Sequence, residues 1–146
     1  MPETGKRNDP FLAFQFEIEL DDFAVSGFSE CSGLQLETEV MDYAEGGLNT
    51  FVHKLPGRTK QPNLQCKRGI ADRKLWDWYY DVTQGKLVFR NGSVRVFDAT
   101  GHTPVMEWHF RQAFPCKWIG PSLNAAQSAI AVEVLELCHQ GLERTL

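Results

Sequence analysis

Two stretches near the end of the 146-residue chain constrain its fold more than any other feature. From Val105 to Arg111, Met106, Trp108 and Phe110 fall on one side and Glu107, His109 and Arg111 on the other. Period two is a strand with one buried face. Ser128 to His139 differs. Ile130, Val132 and Val134 share one side, Ala131, Glu133, Leu135 and Leu137 the other, so both faces carry apolar residues. Such a strand belongs inside a sheet, covered twice. Pro115, Gly120 and Pro121 lie between the runs and are expected to continue neither strand. A strand covered on both sides needs other strands, a helix or a neighbouring subunit.

The rest of the chain supplies them. Phe14, Phe16, Ile18 and Leu20 alternate with Gln15, Glu17 and Glu19, which predicts a half-buried strand ended by a turn at Asp21-Asp22. The chain from Phe23 is extended, with bends at Gly27 and Gly33. Leu34, Leu36, Thr38 and Val40 then alternate with Gln35, Glu37 and Glu39, a second strand of the same type. Asn63 to Arg68 is a short strand with Leu64 and Cys66 on one face, ended by Gly69. Ala71 to Gln84 is the one convincing helix. Asp72 is placed to cap it, Leu75, Trp78 or Tyr79 and Val82 follow helical spacing, and Gly85 sits where a C-terminal left-handed residue belongs. Trp76 and Tyr80 widen its apolar surface, which suits either a broad core contact or a second subunit. Asn91-Gly92 is a hairpin dipeptide, but a hairpin of Ser93 to Asp98 and Val105 to Ala113 about the turn at 99–102 ranks above it.

Met41 to Gln61 stands apart. It holds Gly46-Gly47, Phe51 to Leu55 and Pro56-Gly57 and sustains neither period. Long loops inside a compact domain are usually functional or ordered by a partner. Exposed Phe-Val and Leu-Pro pairs favour a partner-contacting arm over a floppy hairpin tip.

Composition excludes some function classes. The first ten residues are polar, read as a flexible N-terminal arm, and contain no apolar signal core. No stretch approaches the ~20 apolar residues that span a bilayer, so synthesis in the cytoplasm without a signal peptide is expected. A net charge of −4 argues against wrapping nucleic acid on a basic surface. Lys54, Arg58, Lys60, Lys67 and Arg68 form a local basic cluster, and Trp108, Phe110, Phe114 and Trp118 offer rings for base stacking. Single-strand binding wants both together, and alternating strand aromatics are more simply core. Cys31, Cys66, Cys116 and Cys138 lack the C-x-x-C and Cys/His spacing of a metal site, so buried free thiols are the expected state. No nucleophile–base, phosphate-loop or zinc-helix motif is present, so no catalytic, cofactor-binding or metal-binding residue is assigned.

Read together, GFSECSGLQLETEVMDYAEGG (Gly27 to Gly47), KLPGR (Lys54 to Arg58), LQCKRG (Leu64 to Gly69), LWDWY (Leu75 to Tyr79) and WHFRQAFPCKWIGPSLNAAQSAIAVEVLELCHQGLER (Trp108 to Arg144) resemble the inner tail-tube proteins of contractile phages, the T4-like tail tube family. Tube proteins of extracellular contractile injection systems are similar. The resemblance covers nearly the whole chain in order, with Cys66, Cys116 and Cys138 where small or aliphatic residues are expected. It implies a mainly β fold over residues 1–146: two packed antiparallel sheets, or a squashed barrel, with one flanking α-helix and a long protruding loop.

In that family six copies form a ring, and rings stack into a hollow tube inside a sheath. The resemblance makes 42–60 the inter-ring loop, with Asp42, Tyr43, Gly46, Gly47, Phe51, Leu55, Pro56, Gly57 and Arg58 as its contacts. It offers Trp76 and Tyr80 as a subunit-contact face. Glu17, Glu19, Glu37 and Glu39 are candidates for an acidic lumen wall, the other reading being a plain solvated face. Implied partners are further copies, a sheath protein, baseplate or tube-initiator and tube-terminator proteins, and DNA or protein cargo. Two alternatives stand: a type VI-like or non-contractile tube ring, and a monomeric β-barrel carrying a small ligand. Residues alone do not choose between a phage tail and a bacterial injection particle.

Overall fold

The computed structural model describes residues 15–44, 46–47 and 50–146. The expected N-terminal arm and Phe14 lie outside them. In chain order the elements are β1 (Phe16–Leu20), β2 (Phe28–Ser32), β3 (Glu37–Tyr43), β4 (His53–Lys60), β5 (Leu64–Gly69), α1 (Lys74–Thr83), β6 (Arg90–Phe97), β7 (Pro104–Ile119), β8 (Val132–Cys138) and β9 (Gly141–Arg144). All strand pairings are antiparallel. The main path runs β1-β6-β7-β8-β5-β2, with β9 also on β7, while among the described residues β3 and β4 pair only with each other.

The expected mainly β architecture with one helix is present, and the 16-residue β7 explains how two sheets share one core. Its first part pairs with β6 and β9, its last part with β8. Between them Gln112 adopts a left-handed φ of 53°, and its N–H donates to the Asn91 side chain at 3.0 Å. One apolar cluster joins Ile18, Leu20, Val94 and Phe110 to Leu64, Leu135 and Leu137, with Leu75 and Trp78 of the helix. The path does not close: β1 and β2 are its two ends.

Three expectations are corrected. Pro115 does not stop β7. It pairs with Leu137 beside a register shift, and a bulge is where a strand interior tolerates a missing N–H. Asn91-Gly92, ranked below the 93–98/105–113 hairpin, lies inside β6. A Cβ on Gly92 would stand 2.3 Å from the Phe110 ring and 2.7 Å from the Glu19 carbonyl, so that glycine makes room for a core ring. The last long strand begins at Val132, leaving Ile130 outside it and 83% exposed. The stretch from Met41 to Gln61 is not irregular: β3 and β4 make it a hairpin. The 93–98/105–113 hairpin, the central place of β8 between β7 and β5, and the helix are found as expected.

A buried polar joint ties these parts. Arg68 on β5 faces Glu133 on β8, and both side chains are 1% exposed. Arg68 Nε donates to Glu133 Oε1 at 2.7 Å, and Trp118 Nε1 on β7 donates to Glu133 Oε2 at 2.9 Å. Arg68 also donates to Asp72 at 2.6 Å and to the Ser26 carbonyl at 3.3 Å. The helix N-cap is Arg73 rather than the expected Asp72; Asp72, one residue earlier, still accepts the Lys74 backbone N–H at 3.0 Å while pairing with Arg68. Buried charges persist when their remaining hydrogen-bonding capacity is filled, and here three strands, a helix start and the 23–28 segment fill it.

Glu133→Ala is expected to cost about 3–5 kcal/mol by orphaning Arg68, whereas Arg68→Met with Glu133→Leu recovers most of it. A denaturant melt in which the double variant is no better than the single one contradicts this assignment. The Lys74 N–H and the Arg68 guanidinium hold the Asp72 carboxyl below its usual range. Its ionised form therefore stabilises the fold above the unfolded carboxyl pKa, and that contribution fades as pH falls through the lowered folded value. Asp72→Ala should lower the melting temperature at neutral pH, with the gap from the parent narrowing in acid. A pH-independent gap refutes it.

Candidate assembly surfaces

The hairpin of β3 and β4 is the exceptional surface. Every residue of β3 is exposed in the single chain, which corrects the expectation of a half-buried strand at Leu34 to Val40. Leu34 packs on the core, but Leu36 and Val40 do not. Register pairs Met41 with Leu55 and Tyr43 with His53, so these four side chains share one face. Phe51 extends it, its ring 4.9 Å from that of His53. Met41, Tyr43, Phe51 and Leu55 are between 49% and 60% exposed. The opposite face carries the pairs Asp42–Lys54, Val40–Pro56 and Thr38–Thr59. Near its root Lys60 meets Glu39 at 3.1 Å. Gly57 has the Glu39 backbone close by, while Gly46 and Gly47 lie in the connecting turn. Arg58, beside Gly57 on β4, is exposed too. A two-stranded ribbon with solvent on both faces is marginal in water; half-exposed rings and a methionine on one face give it something to gain from a second surface.

The root of this arm is tightly built. Gly33 has φ 92°, and a Cβ there would fall 2.1 Å from the Asn63 carbonyl oxygen. Only glycine lets the outgoing chain pass the returning one at that distance.

A second surface is polar. Glu17 and Glu19 on β1, Arg95 on β6 and Glu107 and His109 on β7 share the solvent side of the first sheet. Arg95 contacts Glu19 at 2.5 Å, Glu17 at 3.0 Å and Glu107 at 3.1 Å, and His109 lies 3.1 Å from Glu107. Hydrogen bonding to Glu19 above all, then to Glu17 and Glu107, raises the Arg95 pKa against the effect of its partial burial. Arg111 and Glu143 extend this face. Glu37 and Glu39 are not part of it; they belong to the arm.

The two aromatic residues singled out on the helix part company. Trp76 packs edge-on against Trp118 at 4.8 Å within the chain, whereas Tyr80, stacked on Trp76 at 5.7 Å, stays half exposed. The nucleic-acid reading loses its geometry. Phe110 is core, Trp118 meets the helix, Phe114 meets Phe89 and Trp108 lies under Arg144, so these rings do not form one groove. The basic cluster disperses likewise, with Arg68 buried and Lys60 paired. Arg68 was legible only as a surface charge, since nothing in its neighbours marks a buried cation; its register partner Glu133, an acid in an apolar run, was the available signal.

The family model described as T4-like virus tail tube protein gp19 matches residues 12–143. This chain belongs to the T4-like tail tube family. Comparison with curated proteins gives no match. Among solved structures, a chain of the sheath–tube complex of the extracellular contractile injection system PVC in its extended state is 22% identical with a TM-score of 0.85. That match covers 94% of this chain and 93% of that one. A chain of the tube-terminating cap of the anti-feeding prophage is 22% identical, TM-score 0.87, with 99% of both chains covered. Hcp1 from Flavobacterium johnsoniae is 10% identical, TM-score 0.57, over 90% of this chain and 94% of that one. At these identities the structural likeness establishes the fold. The tail tube family is one of structural proteins, and among the described residues no helix is long and apolar enough to cross a membrane.

Proposed function

We propose that this chain, as one tail-tube domain, is the repeating subunit of the inner tube of a contractile injection machine or phage tail. Six copies form a ring, rings stack, and a surrounding sheath drives the hollow tube outward with DNA or protein cargo. The carrying observation is the hairpin arm, whose apolar face of Met41, Tyr43, Phe51 and Leu55 is left between 49% and 60% exposed among the described residues. A heterologous contact, arm of one copy on body of another, is the kind that propagates into rings and filaments. In this reading Asp42 to Arg58 bridges adjacent rings, and Tyr80 on the helix contacts a neighbour.

The polar sheet face fits the bore. It sets Glu17, Glu19, Glu107 and Glu143 against Arg95 and Arg111. An acidic excess repels a polyanion and keeps it sliding rather than binding. Glu37 and Glu39 serve the arm instead. Sheath, baseplate and terminator proteins are the partners that sheath–tube, baseplate and cap assemblies of the structural relatives suggest. The chain itself contributes stiffness, a bore and stacking contacts, and no reaction.

Met41→Ser with Leu55→Ser is the direct test. The altered side chains touch solvent in the subunit, so it should stay folded and soluble with an unchanged melting midpoint. Negative-stain microscopy at rising concentration should show tubes for the parent and isolated rings or subunits for the variant. Normal tubes from the variant overturn the role of the arm.

A further inference from the structure

Two cysteines face each other at the root of the arm. Cys31 on β2 and Cys66 on β5 are direct partners in the antiparallel register. Opposed Cα atoms in such a pair stand about 4.5–5.5 Å apart, within the range of about 4.4–6.8 Å that a disulfide bridges. Opposed side chains share a face. Their access differs. Cys66 is 2% exposed in the core. Cys31, on the edge strand, is half-buried and packs against the core. The adjacent Cys66 thiol lowers the Cys31 pKa against its burial, while the adjacent Cys31 thiol and burial push Cys66 well above the usual thiol range. Of the two, Cys31 is the less buried and the better attacking sulfur, and Cys66 is the sheltered resolving one.

The other two thiols also neighbour each other but are not register partners, since Cys138 faces Phe114. Cys116 sits at the β7 bulge, with its sulfur 3.4 Å from the Glu136 carbonyl oxygen and 3.5 Å from Asn63 Nδ2. Burial, with Cys138 beside it, pushes its pKa up to about 12.

We propose that Cys31 and Cys66 form a redox-closable clasp that fastens the root of the hairpin arm when the protein meets a small-molecule disulfide. The Cys31 thiolate attacks one sulfur of oxidised glutathione, forms a mixed disulfide and expels one glutathione thiolate. Cys66 then gives up its proton to solvent and attacks the Cys31 sulfur. The second glutathione leaves, so two protein thiols are oxidised as one glutathione disulfide is reduced. The new bond closes the loop 31–66, which contains all of β3 and β4. Edge strand β2 becomes covalently tied to β5, and both ends of the arm are held at one point. The thiol chemistry stands by itself; only its meaning for assembly rests on the tube reading.

The full-length chain is incubated with oxidised glutathione at about pH 8, near the ordinary thiol pKa, then alkylated and digested with trypsin. Two of the four thiols should disappear, and peptide 61–67 should be found linked to peptide 8–54. Cys66→Ser should stop with glutathione on Cys31, and Cys31→Ser should leave Cys66 unmodified. The clasp is refuted if the folded protein keeps all its thiols while the denatured chain oxidises. Glutathione held on Cys31 of the parent without a link, or a link that joins other cysteines, refutes it too. Microscopy of the same samples separates the two readings. The linked peptides in a protein that never forms tubes keep the clasp and discard the tube; tubes without the link do the reverse.

Discussion

Arg68 and Glu133 face each other where β5 meets β8, and the remainder of the body is arranged so that neither charge is left alone. Glu133 spends its second oxygen on Trp118 of β7, and Arg68 spends its other nitrogens on Asp72 and Ser26. An apolar pair would hold two strands together with less desolvation cost. What the ionic pair adds is direction: it fixes strand register, orients Trp118 towards Trp76, and starts the helix at a defined place. That sequence of contacts joins both sheets and the helix into one body.

The body matters because the arm does not stabilise itself. Among the described residues β3 and β4 pair only with one another. A ribbon of this kind keeps its geometry when its root is rigid, and the root lies between β2 and β5, the strands next to the ionic joint. Gly33 threads past Asn63 there, and Cys31 stands against Cys66. Rigidity at the base and exposed apolar surface beyond it are complementary halves of an assembly part. The first lowers the entropy lost on docking, and the second supplies the gain.

How far the residues alone revealed this depends on whether burial lies within the chain. Period-two patterns at Phe16–Leu20 and Leu64–Arg68, and the helical spacing of Leu75 and Trp78, were readable because their apolar sides meet the chain's own core. Leu34 to Val40 shows the same alternation, yet β3 is exposed throughout, because a pattern records that a face is to be covered and not by whom. Pro115 misled for a different reason: it is a local rule overruled by tertiary context, the proline absorbed by a bulge. The stretch 41–61 stood out by its residues, but its hairpin form was hidden by the extra residue on β4 between Pro56 and Thr59, which breaks the alternation there. The resemblance to tail-tube proteins supplied the fold that periodicity alone left open, and the family match over residues 12–143 carries it.

The account requires that the arm be incomplete in one chain and completed by another. Amide hydrogen exchange compared between isolated subunit and assembled particle measures this residue by residue. Residues 37–43 and 53–60 should exchange quickly in the subunit and become strongly protected on assembly, while 64–69 and 132–138 stay protected in both. An arm already as protected as β5 and β8 in the lone subunit, or one that stays unprotected in the assembly, contradicts it.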